Sequence, residues 1–121
     1  MKTLTKAEEQ IMQAVWILED GGMLKDIVEA MPEPKPHHNT VATLLKILVD
    51  KKYVGIKNTG RFNHYFARVQ KNEFTDMTLS GLTRGYFEGS YQDMVSFMVD
   101  HKKISVQDLE LLLQQIKSGK K

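Results

Sequence analysis

Residues 39–69 read NTVATLLKILVDKKYVGIKNTGRFNHYFARV, and the hydrophobic period changes partway through them. Val41, Leu44, Leu45 and Leu48 recur at helical spacing, which predicts a helix from about Asn39 to Lys52. From Tyr53 the pattern becomes that of strands: Tyr53-Val54-Gly55-Ile56-Lys57, then Asn58-Thr59-Gly60-Arg61, then Phe62 through Val69. β-branched and aromatic residues on either side of an Asn/Gly turn predict a β-hairpin.

Two helical segments precede this stretch. In residues 5–19, Ala7, Ile11, Val15 and Leu18 fall on one stripe, with Met12 and Trp16 beside it. Thr5-Lys6-Ala7-Glu8 fits a capping box at the start, and Gly21-Gly22 is the predicted stop. Leu24, Ile27, Val28 and Met31 then mark a short second helix, closed by Pro32-Glu33-Pro34-Lys35-Pro36 as an extended linker. Three short helices followed directly by a hairpin predict a mainly α fold with a small β wing, a winged helix-turn-helix, over residues 1–71.

Residues 72–121 change character. Met77, Leu79, Leu82 and Tyr86, then Met94, Val95, Phe97 and Met98, then Ile104, Leu109, Leu112, Leu113 and Ile116 predict three more helical segments. Ser105 is placed to cap the last, with Asp108 in its first turn. About fifty residues offer little core of their own but much apolar surface, so a second copy of the chain is the expected cover. Leu82, Tyr86, Met94, Phe97, Met98, Leu109, Leu112, Leu113 and Ile116 are the expected dimerisation residues. Gly81, Gly85 and Gly89 recur every four residues; Gly89 reads as a helix break, and the other two read equally as a ridge for close helix approach or as incidental.

The chain has 121 residues, 41% hydrophobic and 26% charged, a composition that excludes disorder and suits a self-supporting core. Zero cysteines exclude a disulfide scaffold, a thiolate metal site and a cysteine nucleophile. No apolar run reaches membrane-span length and MKTLTKAEEQ lacks a signal-peptide core, so a soluble cytoplasmic protein is expected. G-x-S-x-G, H-E-x-x-H and a phosphate loop are all absent and the carboxylates are dispersed. The expectation is therefore a protein that is not an enzyme, with no cofactor and no small-molecule substrate.

Charge is unevenly distributed. Between Lys35 and Lys71 eight basic residues face one acidic residue, Asp50, and the rest of the chain holds nine against fourteen. A basic third on a winged helix is the electrostatic footprint of a polyanion-binding face. Opposite the inward leucines of helix three lie Asn39, Thr43, Lys46 and Asp50, flanked by Ala42 and Ile47. Asn39 can pair with adenine, the methyls of Ala42 and Thr43 can meet thymine methyls, and Lys46 can reach guanine or phosphate. Thr40 is placed to donate to phosphate, and His38, of the loop pair that precedes the helix, is counted among the DNA-contacting residues. Lys57, Asn58 and Arg61 are expected at the wing tip, where they reach phosphate or the minor groove. His37-His38 invites a metal reading, but adjacent side chains diverge and His64 and His101 are remote in sequence, so no metal site is assigned.

Taken together, these residues resemble the penicillinase-repressor family, the BlaI/MecI/CopY group of bacterial regulators. Leu4-Thr5-Lys6-Ala7-Glu8 with Met12 and Val15-Trp16 resembles the family's first helix. Asn39-Thr40-Val41-Ala42-Thr43-Leu44-Leu45 with Leu48 and Lys51-Lys52-Tyr53-Val54 resembles its recognition helix and the start of its wing. Phe62 to Val69, including Tyr65-Phe66, resembles the returning strand. The resemblance implies a homodimer on a double-stranded palindromic operator, repression of a nearby resistance or stress operon, and relief when a membrane sensor protease triggers cleavage in the dimerisation region. Three features depart from it. Ala42 stands where family members often have arginine, and Ile47 stands where they have a basic residue. Phe97-Met98 occupies the place of the Asn-Phe bond cleaved in the best-known members. The absence of cysteine also disfavours the copper-responsive branch. Two other functions fit the residues: a winged-helix module that docks an acidic protein, and a metal-responsive regulator using histidines.

Overall fold

The computed structural model describes residues 2–119. The chain divides into two compact units, Met1–Phe74 and Thr75–Lys121. The first holds α1 (Lys6–Ile17), α2 (Leu24–Glu29), α3 (His38–Asp50), β1 (Val54–Thr59), β2 (Phe62–Ala67) and the first residues of α4 (Lys71–Phe87). The second holds the remainder of α4, then α5 (Tyr91–Asp100) and α6 (Val106–Lys117). Among the described residues, no helix is long and apolar enough to cross a membrane.

The core of the first unit is built by the apolar faces of its three short helices. Ile11, Met12 and Val15 of α1 meet Ile27 and Val28 of α2 and Val41, Leu45 and Leu48 of α3, and Val54 and Val69 close the cluster. Thr5 and Glu8 form the expected capping box, each side chain accepting from the other's backbone N–H. The stripe of α1 nevertheless differs from its sequence reading: Ala7 is exposed and Glu8 is buried. Burial of Glu8 is made tolerable by Lys51, whose Nζ lies 2.6 Å from Glu8 Oε1 and 2.9 Å from the Thr3 carbonyl oxygen. A buried charge persists only when it is paired and hydrogen-bonded in this way.

Helix ends fall earlier than the glycines suggest. Helix α1 stops at Ile17, with Glu19 at φ +56°, before Gly21-Gly22 is reached. Helix α3 stops at Asp50, not Lys52. Lys52 adopts φ +68°, its N–H donates to the Val49 carbonyl, and Tyr53 N–H donates to the Leu48 carbonyl. These two bonds are a Schellman ending made without glycine, and they turn the chain from α3 straight into the wing.

Gly21 and Gly22 have another use. Gly22 and Tyr65 exchange two backbone hydrogen bonds, of 2.9 and 2.8 Å, which adds a bridge to the two-stranded wing. A Cβ on Gly21 would stand 2.0 Å from the Tyr65 carbonyl oxygen, and Gly21 sits at φ +79°, so only glycine fits. The wing itself is antiparallel, in register from Val54↔Ala67 to Thr59↔Phe62. Its turn is therefore the pair Gly60-Arg61, shorter than the Asn58–Arg61 turn read from sequence. Gly60 alone of that pair has positive φ, the glycine placement that a two-residue II′ turn favours.

In the second unit the cap that the sequence predicts at Ser105 is present, and α5 has a further one at Ser90. Ser90 accepts from Asp93 N–H, and Ser105 and Asp108 form a reciprocal capping box. Among the described residues of this unit only Thr83 is buried. Its hydroxyl donates to the Leu79 carbonyl and meets Met94 Sδ at 3.7 Å. Phe97 packs edge-on against Phe87 and stacks on the His101 ring. Gly89, at φ +84°, follows α4 as the expected break. Among the described residues nothing lies within 4 Å of where a Cβ would stand on Gly81 or Gly85, so neither glycine serves a close helix approach among them.

Candidate nucleic-acid interface

Helix α3 is buried on one side and open on the other. Val41, Leu45 and Leu48 are fully buried, whereas His38, Asn39, Thr40, Thr43 and Lys46 are exposed and Ala42 is half-buried. Asn39, Thr43 and Lys46 are spaced i, i+4, i+7 and so share a face. The helix is capped by His37, whose Nδ1 accepts from Asn39 N–H at 3.0 Å. Asn39 is therefore not the cap, and among the described residues no hydrogen bond engages its side-chain amide. The Thr43 hydroxyl donates back to the Asn39 carbonyl at 3.0 Å, which satisfies that hydroxyl locally.

The wing places its three candidate residues differently. Arg61 lies in the turn and is exposed. Lys57 and Asn58 lie within β1, and Asn58 Nδ2 donates to Asn63 Oδ1 across the strands at 2.9 Å. Arg61 and His38 line one cavity, so the start of α3 and the wing turn come together. That cavity is also lined by Lys25, a cation outside the basic window that drew attention in the sequence.

The basic window overstates the charge available at this face. Lys51 is engaged by Glu8 and the Thr3 carbonyl. Lys35 donates to the carbonyls of Glu29 and Met31 at 2.8 Å each, with Glu33 3.9 Å away. Lys46, Lys52, Lys57, Arg61 and Arg68 form no ion pair among the described residues, and all five are exposed. The partners of Lys51 lie more than forty positions away and those of Lys35 within six, at the end of α2 and the loop after it, where backbone carbonyls leave no compositional mark.

The histidines are dispersed. His37 caps α3, His64 Nε2 is 2.7 Å from the Asp20 carbonyl oxygen, and His101 Nδ1 is 2.9 Å from that of Phe97. Among the described residues, no group of three or more His, Asp or Glu side chains is placed to hold a metal ion.

The expected dimerisation residues are mostly uncovered. Leu82, Tyr86, Phe97, Leu112, Leu113 and Ile116 are exposed, and Met94, Met98 and Leu109 are half-buried. Phe97 and Met98 lie inside α5 rather than in a loop.

Comparison with known proteins gives a family match over almost the whole chain. The sequence model of the penicillinase repressor family covers residues 4–118. No curated protein matches the chain.

Proposed function

The chain belongs to the penicillinase repressor family, a family of transcriptional repressors, and from that premise we propose that it acts as a homodimer on a palindromic operator. Each α3 enters a major groove and each wing contacts the flanking backbone. The observation that carries this reading is the uncovered face of α3, with Asn39, Thr43 and Lys46 in line and the Arg61 turn beside its N-terminus. Asn39 reads a base edge, Thr40 and His38 meet phosphate or sugar, Ala42 and the Thr43 methyl offer apolar contact, and Lys46 reaches guanine or phosphate. Lys57, Asn58 and Arg61 serve the wing. With Ala42 where relatives often carry arginine, the base sequence preferred here differs from theirs.

Fluorescence-anisotropy titration against the protein's own upstream DNA and a scrambled duplex, at several salt concentrations, tests the reading. A dimer that neutralises about eight phosphates should show log K falling with log salt at a slope of roughly −7. Asn39→Ala should relax preference at one base pair by about 1–3 kcal/mol, whereas Lys46 and Arg61 substitutions should weaken all duplexes alike. A slope near zero sinks the operator reading, and equal weakening everywhere by Asn39→Ala sinks the base-reading role.

Relief by proteolysis completes the proposal. A cut near Phe97-Met98 would release the residues that carry α6 from the winged helix, after local unwinding of α5, since the bond lies within that helix. Mass spectrometry of the protein from induced cells should find a new terminus within α5; an intact chain under induction overturns this step.

A further inference from the structure

The first unit contains a cavity of about 490 Å³ between the start of α2, the start of α3 and the wing. We propose that it binds a small organic anion with an apolar body, and that this ligand and DNA exclude one another. The volume lies within the range of small-molecule sites, roughly 300–1,000 Å³. Three cationic or protonatable side chains reach it from three elements: Lys25 of α2, His38 of α3 and Arg61 of the turn. No carboxylate lines it, and none of the three forms an ion pair among the described residues. Its apolar wall is Leu24, Phe62 and Tyr65, and Phe62 is 59% exposed although it is a large aromatic residue.

This combination selects a ligand class. Inorganic phosphate would leave the aromatic wall wet, and a neutral hydrocarbon would leave the cations without a counter-charge. An aryl carboxylate, aryl phosphate or similar molecule satisfies both, its ring on Phe62 and Tyr65 and its anionic group toward Lys25 and Arg61. The antagonism rests on the proposed operator reading, in which His38 and Arg61 are committed to DNA. The same side chains cannot serve an anion in the cavity and the duplex at once, and linkage makes the exclusion reciprocal.

Naphthoate is the probe, followed by residue-resolved amide NMR on the full chain, with neutral naphthol and inorganic phosphate as comparisons. Shifts should cluster at Lys25, His38, Phe62 and Tyr65, and naphthoate should bind more tightly than either comparison. Lys25→Gln, on an exposed residue outside the proposed DNA contacts, should weaken naphthoate about tenfold, the scale of one charge-assisted contact. At ten times its own dissociation constant, naphthoate should raise the apparent Kd for the upstream duplex about elevenfold per site. Shifts confined to α4–α6, equal binding of naphthol, or indifference to Lys25→Gln overturns the site. Binding at the cavity with unchanged duplex affinity overturns the antagonism. Naphthoate binding by a protein that binds no duplex supports the site and fails the operator reading instead.

Discussion

Lys51→Met should lower the stability of the winged-helix unit by about 3 kcal/mol at neutral pH, the scale of removing one partner from a buried ion pair. Glu8 is 4% exposed and would be left charged among apolar side chains, with only the Thr5 N–H as a donor. The pH dependence separates this cause from lost packing. The Lys51 hydrogen bond, aided by the Thr5 backbone and opposed by burial, holds the Glu8 carboxyl below its ordinary value. The unfolded chain therefore binds the proton more readily, so the pair's contribution is complete above the unfolded carboxylate's pKa and is lost as pH falls through the lower folded one. In Lys51→Met, burial acts on Glu8 without its main counterweight, and protonation relieves the variant as acid is added. The gap in stability by urea titration should be widest at neutral pH and narrow as acid protonates Glu8, first in the variant and then in the parent. Adding Glu8→Gln should recover much of the loss, because the uncompensated charge is gone. A gap that is constant with pH, and persists in the double variant, would assign the loss to the lysine's packing and its bond to Thr3.

The same pair shows where sequence reading stops. Helical spacing identified α3 and its buried leucines, and strand pattern identified the wing, because both signals are periodic and local. Caps were legible for the same reason: Thr5-Glu8 and Ser105-Asp108 lie three residues apart. Glu8 looked like a capping residue and nothing more, since Lys51 stands 43 positions away. Gly21-Gly22 looked like a helix stop, yet α1 had already ended through Glu19, and the glycines instead admit Tyr65 of the wing. Stops made by non-glycine residues in the left-handed region, Glu19, Lys52 and Lys102, leave no compositional mark. At the interface, the exposed α3 face was legible from one helical wheel. The removal of Lys51 from the available charge, the pairing of Asn58 with Asn63, and the presence of Lys25 beside Arg61 required the folded structure, and Lys35 is taken by local backbone carbonyls that no residue type marks.

The largest expected effect belongs to the second unit, where the described residues bury no apolar side chain. Along α6, Leu109, Leu112, Leu113 and Ile116 form an i, i+3, i+4, i+7 stripe; Leu109 is half-buried, and the other three are 48%, 51% and 62% exposed. Full burial of a leucine side chain is worth about 1.5–3 kcal/mol, so several residues covered by a second copy supply a substantial association energy. In a two-fold interface each substitution acts twice. Leu113→Glu removes that burial and forces a carboxylate toward an apolar surface, which should cost about 6 kcal/mol per dimer and raise the dimer dissociation constant on the order of 10⁴-fold. Operator affinity should then fall by about 10²–10⁴, because two half-sites are no longer held by one particle. Sedimentation should report a monomer. Trp16 fluorescence should stay as in the parent protein, since its indole N–H donates to the Val69 carbonyl and its ring packs on Phe74 within the first unit. A Leu113→Glu protein that remains dimeric and binds its operator undiminished removes α6 from the interface. A parent protein that is monomeric at micromolar concentration and still binds both half-sites at full affinity removes the homodimer itself.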